Sequence, residues 1–332
     1  FFFPEEYVEA EYCFVERVEA ALSAHNGIAV ALGSGTLNDL VKLASHRLGR
    51  PYLCVATAAS MDGYTAFGAS ITYRGAKQTF NCPAPLAVFA DTEVIRKAPS
   101  SMTASGYADL LAKVTAGADW ILADALGVEP IDSRAWEIVQ NGLKLALADP
   151  EGAKKGDLPA ITLLIEGLLL GGFAMQWSKS SRPASGAEHQ FSHLWDMEHH
   201  VHEGHAPSHG FKVGIATLAV SAFYEFLLAY PMESLDIDSC CSRWLNPVKG
   251  EAQTRRYFAN SDFLDTALTE TKAKYLSRED LRLQLTRLKE NWPVTVQRLR
   301  EQLIPFAEMK QRLQAVGAPT EPEQIGITRT RL

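Results

Sequence analysis

The sequence predicts an α/β domain with a parallel sheet over residues 1–98, followed by an all-α domain over residues 99–332. Three observations carry this. Apolar runs near residues 27–32 and 51–57 each end in a turn of small residues, as buried parallel strands do. The first run passes through a glycine turn straight into a helical pattern. After Pro99, long helical patterns follow one another with almost no strand signal.

In chain order, residues 8–25 suit an amphipathic helix with Tyr12, Val15, Val18 and Leu22 on one face. The strand Gly27–Leu32 ends in Gly33-Ser34-Gly35-Thr36, and Leu37–Leu48 reads as a helix. Strand, glycine turn and helix in that order can cradle a phosphate, because glycines let backbone N–H groups approach and a helix N-terminus favours negative charge. Asn38 stands where a third glycine would complete the dinucleotide fingerprint, so the turn alone is also compatible with mere packing of a helix on a sheet. The second strand, Pro51–Thr57, leads into Thr57-Ala58-Ala59-Ser60 and Met61-Asp62-Gly63. Two adjacent strand ends with small hydroxyl residues make a crevice of the kind where Rossmann-like sheets bind ligands. Ser70–Phe80 reads as a hairpin turning at Arg74-Gly75, and Leu86–Ala90 as a further strand.

Helices are then expected over Met102–Leu126, Ser133–Asp149, Leu158–Ser180, Gly186 to about His200, and Phe211–Tyr230. A last helical stretch, Ser277–Ala315, opens on a Ser277–Asp280 capping box and is divided by Pro293 and Pro305. Leu281, Leu285, Leu288, Leu299 and Leu303 read as core or subunit-contact residues of an expected homo-oligomer, a dimer in the first instance.

Composition bounds the function. The chain has 332 residues, 47% hydrophobic and 21% charged, ordinary values for a globular protein of two domains. A net charge of −7 argues against a general nucleic-acid or anionic-membrane surface. The apolar stretch Ile161–Met175 is interrupted by Glu166 and reads as a buried helix, with no membrane insertion expected. Five cysteines without CxxC spacing suggest neither a disulfide framework nor a cysteine zinc site, so a reducing cytoplasm is expected. The chain does not begin with Met, and its first residues read as the middle of a fold, so an upstream segment is expected.

Seven of the nine histidines fall within residues 182–212. On a helix from Gly186, His189 and His193 stand four apart and share a face. His209 opens the next apolar run, so imidazoles from two helices could converge as a metal site needs; the competing reading is a solvated His-rich loop. In Gly106-Tyr-Ala-Asp109-Leu-Leu-Ala-Lys113, an acid and a base lie four apart among small apolar residues. A surface salt bridge is one reading. The other is an inward Asp109 needing a partner, which a cation held by His189 and His209 would supply.

Together, GSGTLND (33–39), TAASMDGY (57–64), GYADLLAK (106–113), RPASGAEHQFSH (182–193) and PSHGFKVGI (207–215) resemble the sn-glycerol-1-phosphate dehydrogenase family. That family lies within the superfamily of iron-type alcohol dehydrogenases and dehydroquinate synthases. The resemblance implies that Gly33, Ser34, Gly35, Thr36 and Leu37 line the pyrophosphate of NAD or NADP, with Thr57, Ala58, Ala59 and Ser60 at the nicotinamide half. It implies Asp62 and His193 as substrate residues, and Asp109, His189 and His209 as ligands of a divalent metal, with Asp109 also near the substrate. Zinc, nickel and ferrous iron all suit two imidazoles and a carboxylate.

The implied reaction interconverts dihydroxyacetone phosphate and sn-glycerol 1-phosphate by hydride transfer in the interdomain cleft. His193 is the candidate proton relay, its alternative being an orienter of the ligands. Lys113, Arg182 and Lys212 are candidates for the phosphate cation. Lys113 stands where simple alcohol dehydrogenases of the superfamily often have a ligand histidine, which favours the other two branches. Ala66 lacks a hydroxyl that many relatives carry. The family's first strands would lie upstream of Phe1 with the residue that chooses NAD or NADP, and a last helix beyond Leu332. His199, His200, His202 and His205 are expected to be solvated, and His25 and His46 to have no role. A cyclase or lyase of the dehydroquinate synthase kind, another polyol dehydrogenase, and a metal- or nucleotide-binding protein without turnover are the competing functions.

Overall fold

A computed structural model describes residues 3–4, 8–73 and 76–332. The first helix, α1, spans Tyr12–Ser23 and buries Val15 and Val18. It begins four residues later than the periodicity suggests. The Ala10 carbonyl accepts from Thr72 N at 2.7 Å, and Glu11 bridges Thr72, so a sheet edge holds these residues extended.

Strand β1 (Ala29–Gly33), helix α2 (Gly35–Arg47) and strand β2 (Tyr52–Ala56) then form a β-α-β unit. β5 (Ala87–Ala90) completes a parallel three-stranded sheet in the order β1-β2-β5, with Ala31 opposite Cys54 and Cys54 opposite Val88. Ala31, Tyr52, Cys54 and Ala56 face the core, while Val30, Leu32 and Phe89 on the other face are exposed. β3 (Ala69–Tyr73) and β4 (Ala76–Phe80) form the expected antiparallel hairpin. Its turn at Arg74-Gly75 lies outside the described residues.

Beyond the short α3 (Thr92–Ile95), all regular structure is helical. The long α4 (Ser100–Leu126) is buried along almost its whole length and runs through the middle of the molecule. The helix expected over Ser133–Asp149 is two, α5 (Ser133–Gln140) and α6 (Leu143–Ala146), because Gly142 takes φ 86° between them. Next come α7 (Pro150–Lys155), α8 (Leu158–Ser178), α9 (Ala187–Met197) and α10 (His209–Ala229). α8 and α10 are long and apolar enough to span a membrane, yet about half of each is buried against other parts of the fold, 50% and 56%. They are core helices here.

The chain ends with α11 (Ile237–Arg243), α12 (Pro247–Tyr257), α13 (Leu264–Ala273), α14 (Arg278–Gln302) and α15 (Phe306–Val316). Pro305 caps α15, but Pro293 does not divide the stretch as expected: α14 runs through it. Pro293 itself is exposed, while Leu288, Trp292 and Leu299 are buried together, so packing outweighs the one backbone bond the proline removes.

Candidate active site

Asp109 sits in the middle of α4 with no exposed surface, because α4 meets the loop after β2 backbone to backbone. A Cβ on Gly106 would lie 2.0 Å from the Ala59 carbonyl oxygen. One turn on, the Asp109 carboxylate accepts from the backbone N–H of Asp62 at 3.0 Å and from Lys113 at 2.8 Å. Lys113 also reaches the Asp62 carboxylate at 2.7 Å, so one fully buried ammonium bridges two carboxylates. The surface salt bridge is excluded.

His189 points at Asp109 from α9, with Nε2 3.5 Å from its carboxylate. His209 is the first residue of α10, whose N-terminus is pressed onto α4: a Cβ on Gly210 would lie 1.8 Å from the Ser105 carbonyl oxygen. The donor atoms of Asp109, His189 and His209 all lie within 4.8 Å of one another. His193 shares the face of His189, the ring centroids 6.4 Å apart, and lines the same cavity.

These groups fit a divalent cation. Burial opposes ionisation of Asp109, but Lys113 and the imidazoles override it and hold the carboxyl well below its usual range. Burial keeps the His209 ring neutral, so its lone pair is free to bind. His189 is pushed up to about 9: burial opposes its charge, but the bonds to Asp109 and Glu188 favour it more. The surroundings of these donors therefore stabilise added positive charge.

Glu188, fully buried, was not singled out from the sequence. Its carboxylate meets Nδ1 of His189 at 2.8 Å, and accepts from Gly186 N at 2.6 Å and Thr115 Oγ1 at 2.8 Å. The only sequence signal was its place beside His189. Lys42 was missed as well. This residue of α2 is buried and donates to the carbonyls of Gly63, Ala66 and Gly68 at 3.0, 3.1 and 2.9 Å, fixing the loop that carries Asp62. On a helix pattern alone it reads as one more surface lysine.

Ser34, Gly35, Thr36, Ser60, Asp62, His189, His193 and His209 border one cavity of about 560 Å³. Gly33, Leu37, Thr57, Ala58 and Ala59 lie behind that wall: Thr57 N donates to the Gly33 carbonyl, and Ala58 and Ala59 are buried. Gly35 borders the side chain of Met61 so closely that a Cβ there would lie 2.2 Å from its terminal methyl group. Ala66 lines the cavity without a hydroxyl.

Of the three candidate phosphate cations, Lys113 is bridged as described, Arg182 pairs with Glu129 at 2.9 Å, and Lys212 pairs with Asp196. His199 and His205 are exposed as expected. His200 and His202 are not fully solvated: Nε2 of His200 lies 2.6 Å from the Ile325 carbonyl, and His202 packs against Gly326. The C-terminal segment folds back over the connection between α9 and α10 and covers them.

Residues 4–99 match the iron-containing alcohol dehydrogenase family. The chain is 38% identical over 198 residues to glycerol-1-phosphate dehydrogenase [NAD(P)+] of Halalkalibacterium halodurans, covering 60% of this chain and 50% of that protein. It is 38% identical over 208 residues to the protein of the same name from Pyrococcus abyssi, covering 62% and 59%. The chain thus spans about half the length of the curated relatives it matches. A probable glycerol dehydrogenase from Sinorhizobium meliloti has the same fold, with a TM-score of 0.55 at 20% identity over 85% of this chain and 82% of that one. The chain is thus similar in sequence, over about 60% of its length, to proteins named glycerol-1-phosphate dehydrogenase [NAD(P)+], and it shares its fold with the glycerol dehydrogenase structure.

Proposed function

We propose that the chain carries the site of an NAD(P)- and metal-dependent sn-glycerol-1-phosphate dehydrogenase, interconverting dihydroxyacetone phosphate and sn-glycerol 1-phosphate. One observation carries the reading: the buried Asp109 converges with His189 and His209, and these two histidines line a cavity that the N-terminus of α2 also borders. Homologues that bear this name support it. In this reading residues 1–98 form the nucleotide-binding domain and 99–332 the metal and substrate domain.

Asp109, His189 and His209 would hold the cation, and Glu188 fixes the His189 tautomer so that Nε2 faces it. Ser34, Gly35 and Thr36 would hold the cofactor's pyrophosphate through backbone N–H groups at the start of α2, with Gly33 and Leu37 supporting them from behind. When bound, the cation supplies positive charge to the substrate's carbonyl oxygen and the nicotinamide supplies the hydride. Asp62, kept near Lys113, would accept a hydrogen bond from the hydroxyl beside the reacting carbon. His193 stands on the cavity wall with its ring neutral, pushed down to about 4 by burial and by His189. A neutral imidazole donates at one nitrogen and accepts at the other, which suits it to hand a proton to the oxygen at C2.

The unpaired state of all five cysteines suits a cytoplasmic setting, and the same reading carries the expected homodimer. The test follows nicotinamide absorbance with dihydroxyacetone phosphate, before and after chelation. Steady oxidation of the reduced cofactor, lost on chelation and restored by zinc, nickel or ferrous ion, is expected. Turnover without net change in the cofactor would indicate a cyclase of the dehydroquinate synthase kind, and full activity without metal would overturn the proposal.

A further inference from the structure

We propose that Lys77, with Lys212 behind it, is the anchor for the phosphoryl group of a small phosphomonoester in this cavity. The inference rests on the reading above only for the rest of the substrate. It starts from where the positive charge around the site is committed. Lys113 is shared by two carboxylates, Lys42 is spent on three carbonyls beside Asp39, and Arg182 sits on Glu129. None of the three lines the cavity.

Lys77 and Lys212 differ. Both grip the single carboxylate of Asp196, Lys77 at 3.2 Å on Oδ2 and Lys212 on Oδ1. Two ammonium groups on one carboxylate leave one positive charge in excess. Lys212 is nearly buried, with 5% of its side chain exposed, whereas Lys77 is 25% exposed and lines the cavity beside His193 and His209. A compact ammonium with free donor positions is a suitable point-charge partner for a phosphate dianion. Lys77 also reaches the cavity from β4, a different element from those that carry the metal donors, so a substrate held at both ends would span the cavity. The candidates read from the sequence were drawn from the helical part alone, where Lys77 does not lie.

The test compares kcat/KM for dihydroxyacetone phosphate with that for dihydroxyacetone in the metal-loaded protein, alongside competition by inorganic phosphate. Lys77→Met is expected to lower the ratio at least tenfold and to weaken phosphate competition, with Lys77→Arg restoring most of both. Asp196→Asn, which frees both ammonium groups, is expected to raise the ratio. A ratio unchanged in Lys77→Met, or lowered alike in Lys77→Met and Asp196→Asn, would mean that the trio only braces the hairpin, and the proposal would fall. If neither compound is turned over, the reading of the reaction fails instead. Protection of the fold by inorganic phosphate in thermal melts then decides the anchor: protection in wild type that is lost in Lys77→Met supports it, and equal or absent protection overturns it.

Discussion

The Glu188 carboxylate lies 2.8 Å from Nδ1 of His189, on the opposite side of the ring from the Nε2 that faces Asp109. A ligand histidine whose far nitrogen is held this way keeps one tautomer and one orientation, and losing such a partner usually costs roughly 10–100-fold in metal affinity. Glu188→Gln is therefore expected to weaken divalent-metal binding by about that factor, read by calorimetric titration of the chelated protein. Wild-type affinity would show that packing alone orients the ring.

The convergence of three donors predicts a sharp contrast between two histidines of the same stretch. His209→Ala removes a donor and should abolish stoichiometric metal binding, whereas His205→Ala, altering an exposed residue of the connection, should leave it intact. Elemental analysis after dialysis checks both. Metal retained at full occupancy in His209→Ala would place the ion elsewhere.

Gly106→Ala should be far more damaging than a glycine-to-alanine change usually is in a helix. The added Cβ would lie 2.0 Å from the Ala59 carbonyl oxygen, and neither backbone can yield without moving Asp109 or the loop before Asp62. We expect a loss of about 3 kcal/mol, as for an overpacked core, measured by denaturant unfolding. A neutral or stabilising effect, as helix propensity alone predicts, would show that α4 can slide.

Lys42→Met should destabilise by a comparable amount for another reason. The carbonyls of Gly63, Ala66 and Gly68 would lose a charged donor, at roughly 1–3 kcal/mol for each left unsatisfied, reduced wherever water enters. Because the loop carries Asp62, substrate KM should rise alongside. A stable variant with unchanged KM would remove Lys42 from the account of the site.

His193 gives a pH signature. In the unfolded chain its ring takes up a proton below about 6.5, but in the fold burial delays this to about 4. Between those values the unfolded state binds more protons, so stability falls as pH drops from about 6.5 toward 4, and this contribution levels off below. In chelated protein, His193→Gln should flatten that part of the profile; an unchanged slope would assign it to other groups.

The parts of this protein that were legible in the sequence are those written in local pattern. The strand, glycine turn and helix at 27–48, the β3–β4 hairpin and the α9 face with His189 and His193 each follow from spacing alone. Pairings that the fold brings from afar were not legible. Lys42 looks like any helix lysine until its loop of carbonyls is in place, 21 to 26 residues on. Lys77 and Asp196, 119 positions apart, meet only because the hairpin packs on α9. Pro293 misled for the same reason, since the local cost of a helix proline is visible in sequence and the packing that overrides it is not. The start of α1 was misplaced because a bond from Thr72, sixty-two residues away from Ala10, decides it.

The meeting of Gly210 with the Ser105 carbonyl has a consequence for which ions the centre accepts. Asp109 and His209 extend from helices that touch main chain to main chain just beside the donors, so their separation is fixed by peptide geometry and not by adaptable side-chain packing. A coordination sphere that cannot widen selects by ionic radius. The centre should therefore reject calcium, which needs longer bonds and more ligands, even in large excess, while exchanging freely among the smaller ions whose bond lengths lie near 2 Å.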